Sequence, residues 1–151
     1  MEKLYYSYEE FRLDVISLLP QLQKDYDTII AIARGGLTFA QALAEALEIR
    51  NLQTISTLLY DGTTKKEDFS LYDTTNLQHS KKVLVVDDIS DSGETLSKVM
   101  QHLEKKHPSI TFETITLFYK RTSLFQPTYY IHESTQWINF FWEVDFTLEP
   151  S

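Results

Sequence analysis

The sequence predicts an α/β protein, built on a mostly parallel sheet of about five strands flanked by helices. Three observations carry that reading. Short continuous apolar runs recur along the chain, two of them stop abruptly at polar or glycine-containing turns, and a segment with apolar residues at helical spacing follows each of those two. Runs of this kind mark strands buried on both faces, and strands that alternate with amphipathic helices assemble into parallel sheets.

Ser7 and Glu10 form a capping-box pattern, and Phe11, Val15, Leu18, Leu19 and Leu22 follow at helical spacing, so a core-packing helix starts here and Pro20 kinks or ends it. Thr28 to Ala33 (TIIAIA) is the first buried strand and stops at Arg34-Gly35-Gly36. A helix over 37–49 places Phe39, Ala40, Leu43 and Leu47 on one face. Strands are expected over 52–60 and 82–87. A helix carrying Leu96, Val99, Met100 and Leu103 then ends at His107-Pro108. Thr111 to Tyr119 alternates well enough for a further strand, and Thr128 to Ile131 for a short one. Between the strands at 52–60 and 82–87, the segment 61–80 (DGTTKKEDFSLYDTTNLQHS) is polar, without sustained period and long for a compact domain, which points to a lid over a site. Phe146 to Ser151 reads as a tail.

With 151 residues, of which 42% are apolar and 13% aromatic, the chain suits one domain with a substantial core. The absence of cysteine excludes disulfides, thiol catalysis and thiolate metal sites. The opening MEKLYYSYEEF has no apolar signal region and no apolar stretch reaches the ~20 residues of a membrane span, so a cytoplasmic protein without a membrane span is expected. A net charge of −8 argues against nucleic acid as a partner, because phosphate neutralisation needs Lys and Arg. The four histidines are widely spaced, with surface roles as the default. Only Gly35, Gly36, Gly62 and Gly93 are glycines, so each is expected to have a backbone reason.

The chemistry concentrates in Val83 to Leu96, VLVVDDISDSGETL. An apolar strand ends in two carboxylates, Asp87 and Asp88, and a helix opens a few residues later at Asp91-Ser92-Gly93-Glu94-Thr95. Ligands of open α/β sheets bind beyond the carboxyl ends of the strands, and a helix N-terminus with a glycine and hydroxyls holds phosphate through its N–H groups. A sugar phosphate fits such a pocket, with the carboxylates facing ribose hydroxyls and Mg²⁺. A plain Asp91-x-x-Glu94 capping box explains neither the two preceding aspartates nor a glycine where alanine would be ~0.8–1 kcal/mol more stable. A phosphoacceptor receiver domain fails because no Lys follows Lys120 and the only Asp after Asp91 is Asp145.

VLVVDDISDSGETL closely resembles the phosphoribosyl pyrophosphate signature of type I phosphoribosyltransferases, and IAIARGGLTFAQALAEALEIRNLQTIS resembles the pyrophosphate loop of the xanthine-guanine branch of that family. The segment Trp137 to Glu143 (WINFFWE) is similar to that branch's purine-binding hood, here about 132–146. The resemblance implies the type I phosphoribosyltransferase fold, with phosphoribosyl pyrophosphate and a purine base as partners and Mg²⁺ as cofactor. It implies that Asp87 and Asp88 hold ribose hydroxyls and Mg²⁺, and that Asp91 is the catalytic proton acceptor near N7. Ser90, Ser92, Gly93, Glu94 and Thr95 would surround the 5′-phosphate, with Arg34 and Gly35 at the pyrophosphate. Lys120 would donate to O6 of a 6-oxopurine, Trp137 would stack on the base, Ile138 would offer its carbonyl, and Ile89 would supply the opposite apolar face.

The family often has Thr in place of Ser92 and Lys or Gly in place of Glu94, so the Glu94 side chain is expected to point away from the phosphate. The implied activity is purine salvage in a homodimer or homotetramer. Transfer to adenine or a pyrimidine, and a non-enzymatic sensor of the donor on the same fold, are the alternatives. A lysine can donate to O6 but cannot accept from the amino group of adenine, and the chain lacks a basic cluster beyond three Lys pairs.

Overall fold

The computed structural model describes residues 2–59 and 69–148. Its elements are β1 (Lys3–Tyr6), α1 (Tyr8–Leu18), β2 (Thr28–Ala33), α2 (Leu37–Leu47), β3 (Leu52–Leu59), β4 (Phe69–Asp73), β5 (Lys82–Val86), β6 (Ile89–Ser90), α3 (Glu94–Lys106), β7 (Thr111–Tyr119), β8 (Tyr129–Glu133), β9 (Trp137–Phe140) and α4 (Phe141–Val144). The five expected strands are present and pair in parallel in the order β3-β2-β5-β7-β8. Four further strands were not expected. β4 lies antiparallel on β3, β6 pairs with the end of β7, and β1 pairs with β9 in a separate two-stranded sheet.

Side-chain alternation along the buried strands divides the core in two. Ile29, Ala31, Leu84 and Val86 face a cluster containing Phe11 of α1 with Phe39 and Leu43 of α2. Ile30, Ile32, Val83 and Val85 face Leu96, Val99, Met100 and Leu103 of α3. The period-2 pattern of a strand thus feeds two helical layers, which is why these runs are apolar throughout.

Helix ends follow local chemistry. Ser7 and Glu10 do form the capping box of α1, and Pro20 sits in a short 3-10 turn after it. α2 stops at Leu47, two residues short of the expected boundary, because Glu48 turns left-handed and its N–H closes back on Ala44 and Glu45. Among the described residues no helix is long and apolar enough to cross a membrane.

The segment expected to be a lid, 61–80, is in part strand. β4 is an ordered edge, Leu77 is buried, and Asp73 anchors the turn that follows by accepting from the Thr75 N–H at 2.8 Å. His102 of α3 lies 2.7 Å from the same carboxyl group. The ordering therefore comes from a partner on a distant helix. Residues 61–68 lie outside the described residues.

Candidate active site

The acidic pair sits where the partner of β7 changes from β5 to β6. Asp87 N–H donates to the Ile115 carbonyl, and the Leu117 N–H donates to the Asp88 carbonyl at 3.0 Å. Both side chains are 8% exposed, and Asp87 Oδ1 accepts the Asp88 N–H at 2.8 Å. Burial pushes both carboxyl groups above the usual carboxylate range, Asp87 further by the charge of Asp88 and Asp88 further by that of Glu143. Two buried acids that resist ionisation are a natural seat for a cation. The donors also fit Mg²⁺ in number: among the described residues no group of three or more His, Cys, Asp or Glu could hold a metal alone, and Mg²⁺ takes one or two carboxylates and fills its shell with water and phosphate oxygens.

The turn after β2 comes against this pair. A Cβ on Gly35 would lie 2.6 Å from Asp88 Oδ2, and one on Gly36 would collide with the Val86 carbonyl oxygen. The peptide between Ala33 and Arg34 is cis. Close approach of backbone to backbone and to the acids is the reason for both glycines.

At the head of α3, Gly93 is the N-cap, with φ 85°, and no side chain caps the helix there. The Asp91-to-Glu94 capping box therefore does not form. Glu94 instead turns its carboxylate along the helix to Lys98 at 3.2 Å, and Ser92 Oγ accepts the Glu94 N–H at 3.2 Å. Ser90 is 1% exposed and its hydroxyl is committed to Ser123 Oγ and the Phe125 carbonyl, both at 2.7 Å. The Ser90 hydroxyl is therefore not free to meet a ligand, and its carbonyl already accepts the Lys120 N–H.

Three cavities converge on Asp88. One is lined by Arg34, Gly35, Thr38, Thr57, Trp142 and Glu143 together with Asp87, Asp88 and Thr95. A second runs along Ser90 to Gly93 and Thr95 beside Asp87 and Asp88. A third is lined by Ile89, Asp91, Lys120, Trp137 and Ile138, with Asp88, Phe140 and Glu143. The lysine is not a plain surface residue: its side chain is 15% exposed and its Nζ lies 3.0 Å from Asp91 Oδ1. Arg121, next to it, is 82% exposed and bonds Glu133 at 2.7 Å, so it adds no charge to the third cavity.

Every expected site residue except Glu94 lines one of these cavities. The sequence reading gave no role to Thr38, Thr57, Trp142 or Glu143. Thr57 carried a faint signal as a hydroxyl near the carboxyl end of a strand. Glu143 carried one as the acid closing the aromatic segment. Trp142 joins the first cavity because it stacks on Phe140 at 4.7 Å and 15°, while Trp137 stays 53% exposed at the third.

The carboxyl ends of a mostly parallel sheet thus open toward three cavities that share Asp88. The chain matches the phosphoribosyl transferase domain over residues 5–149 and belongs to that family, which makes it a phosphoribosyltransferase. It is similar to the xanthine-guanine phosphoribosyltransferase of Idiomarina loihiensis, with 30% identity over 124 residues, 80% of this chain and 73% of the relative. Its structure is similar to Helicobacter pylori xanthine-guanine-hypoxanthine phosphoribosyltransferase, with TM-score 0.88, 32% identity and coverage of 95% of this chain and 96% of that one. It is also similar to a purine phosphoribosyltransferase from Pyrococcus horikoshii Ot3, with TM-score 0.82, 29% identity and full coverage of both chains.

Proposed function

We propose that the protein transfers the 5-phosphoribosyl group from phosphoribosyl pyrophosphate to a 6-oxopurine (guanine, xanthine or hypoxanthine), giving the nucleoside 5′-monophosphate and pyrophosphate in purine salvage. The observation that carries this reading is the third cavity, where Lys120 is the single lining cation among the described residues and shares the slot with Trp137 and Ile89. An ammonium there donates to O6 and has nothing to accept from an adenine amino group. The names of the similar enzymes agree with it.

In this reading the donor's 5′-phosphate lies against Ser92, Gly93, Thr95 and the backbone of Ser90 and Glu94, at an uncapped helix N-terminus that favours anions. Arg34 and the Gly35 backbone face the pyrophosphate, with Thr38 and Thr57 as further hydroxyl donors. Asp87 and Asp88 hold the ribose hydroxyls and Mg²⁺. When bound, Mg²⁺ offsets the charge that develops on the departing pyrophosphate. The purine stacks under Trp137 over Ile89, with the Ile138 carbonyl as acceptor for an exocyclic amino group and N9 toward C1 of the ribose. The bond from C1 to the pyrophosphate oxygen breaks and the bond from C1 to N9 forms, with Asp91 taking the purine proton at N7. Positioning of both reactants supplies much of the rate. The chain works as one domain over 1–151, in the cytoplasm, as a homodimer or homotetramer.

A panel of guanine, xanthine, hypoxanthine, adenine and pyrimidine bases, assayed with phosphoribosyl pyrophosphate and Mg²⁺, tests the reading. Transfer to at least one 6-oxopurine and none to adenine is expected. Preferred transfer to adenine or a pyrimidine overturns it.

A further inference from the structure

The turn that follows Lys120 does more than end β7. It lies directly behind the loop Ser90 to Gly93 and is fastened to it at several points. Lys120 N–H donates to the Ser90 carbonyl at 3.1 Å, and Leu124 N–H donates to the Ser92 carbonyl at 2.7 Å. Ser123 is the centre of the contact. Its hydroxyl lies 2.7 Å from Ser90 Oγ, 3.0 Å from the Phe125 carbonyl and 3.1 Å from the Phe125 nitrogen. The same turn is pressed on Gly93, where a Cβ would lie 2.5 Å from the Phe125 nitrogen and would collide with Ser123 Oγ. The turn is itself closed by the Ser123 N–H donating to the Lys120 carbonyl at 2.8 Å.

Lys120 also reaches Asp91 with its side chain at 3.0 Å. One short segment therefore places the cation of the base cavity and braces the loop of the phosphate cavity. A loop whose backbone N–H groups must point at an anion gains affinity when its conformation is fixed before the ligand arrives, because less ordering entropy is lost on binding.

We propose that Ser123 is a positioning residue for the donor: through Ser90 and the close fit on Gly93 it holds the Ser90–Gly93 loop in the shape that receives the 5′-phosphate. Ser123 touches no substrate in this arrangement. The inference rests on the reading of the second cavity as the phosphate site.

The test is steady-state kinetics of Ser123→Ala, Ser90→Ala and the double variant, with KM measured separately for phosphoribosyl pyrophosphate and for the purine. Loss of one such hydrogen bond predicts a rise of about five- to tenfold in donor KM. Purine KM and the melting temperature should move little. Because both single variants break the shared Ser90–Ser123 bond, each beside its own contacts to Phe125, the double variant should fall short of the product of the two single effects. Unchanged donor KM in Ser123→Ala, or equal rises in both KM values, overturns the proposal. If the wild-type protein transfers phosphoribose to no base, the failure lies with the proposed function; if it transfers normally and the variants keep their donor KM, the failure lies with Ser123.

Discussion

Lys120 Nζ and Asp91 Oδ1 lie 3.0 Å apart, with the lysine side chain 15% exposed and the aspartate 53% exposed. The lysine is thus drawn into the third cavity by a carboxylate that itself remains half exposed. Since the two groups sit on β7's end and on the loop before α3, the pair also ties the two halves of the site together.

Asp91→Ala should lower turnover by about 10²–10⁴-fold, the range of a lost general base. Donor affinity should change far less, because the proposed proton transfer concerns the base, even though Asp91 lines the second cavity as well as the third. Single-turnover kinetics with donor-binding calorimetry separates the two quantities. A variant with wild-type turnover would remove Asp91 from the mechanism.

The two neighbouring glycines should fail differently. In Gly36→Ala the new methyl meets the Val86 carbonyl and Asp87 Cα, which are backbone and cannot yield. A loss of about 1–3 kcal/mol is expected, read as a lower melting temperature at ~2–4 °C per kcal/mol. In Gly35→Ala the methyl meets the Asp88 carboxyl group, which can swing away. That variant should keep more of its stability and lose donor affinity and Mg²⁺ response. Calorimetry and kinetics on both variants decide; the reverse ranking of melting temperatures would sink the argument.

Tyr6 should matter to the base and not to the donor. Its ring is 1% exposed and packs edge-on against Phe140 and Trp142, while its hydroxyl donates to Asp14 at 2.5 Å. The same carboxylate oxygen lies 2.7 Å from His132 Nε2, so three elements meet at one acid. Tyr6→Phe keeps the ring and removes that bond, at about 1 kcal/mol. A severalfold rise in purine KM with donor KM held constant is expected. Equal change in both would mean that β1 acts on the whole fold and not on the hood.

Acid should loosen the β4 turn once the pH falls below the ordinary carboxylate range. Burial alone would raise the Asp73 carboxyl group, but hydrogen bonds from Thr75 and His102 and the charge of Lys106 hold it at about 2, below the ordinary 3.8. A carboxyl group lowered by folding stabilises the fold above its unfolded value and loses that contribution as pH falls through the folded one. Between pH 3.8 and about 2 the wild type should therefore lose stability that Asp73→Asn, already without it, does not lose. Urea unfolding across that range reads the difference; parallel curves for the two proteins would refute it.

How much of this was legible depended on whether a residue's partner lay near it in sequence. The buried strands β2 and β5 announced themselves because both of their faces are covered, leaving no polar position to interrupt IIAIA and VLVV, whereas β7 was read from its alternation. The acidic pair was legible for the same reason, as charge placed directly after such a run. β1 was not, because Lys3 to Tyr6 becomes a strand only by pairing with Trp137 to Phe140. β4 was hidden likewise, since its end is fixed by His102 on α3. His102 and His132 each pair with a carboxylate rather than standing free at the surface. Ser90 was expected beside the 5′-phosphate, and only the turn at Ser123 shows that its hydroxyl is occupied.

Tyr5 and Asp145, 140 residues apart in sequence, share a hydrogen bond at 2.9 Å beside the paired strands β1 and β9. On a ribosome the central sheet can assemble while β1 is still waiting, since β9, its strand partner among the described residues, emerges after every strand of that sheet. A nascent chain should thus acquire the acidic pair and its glycine turns before it has the wall that Trp137 to Phe140 give the third cavity.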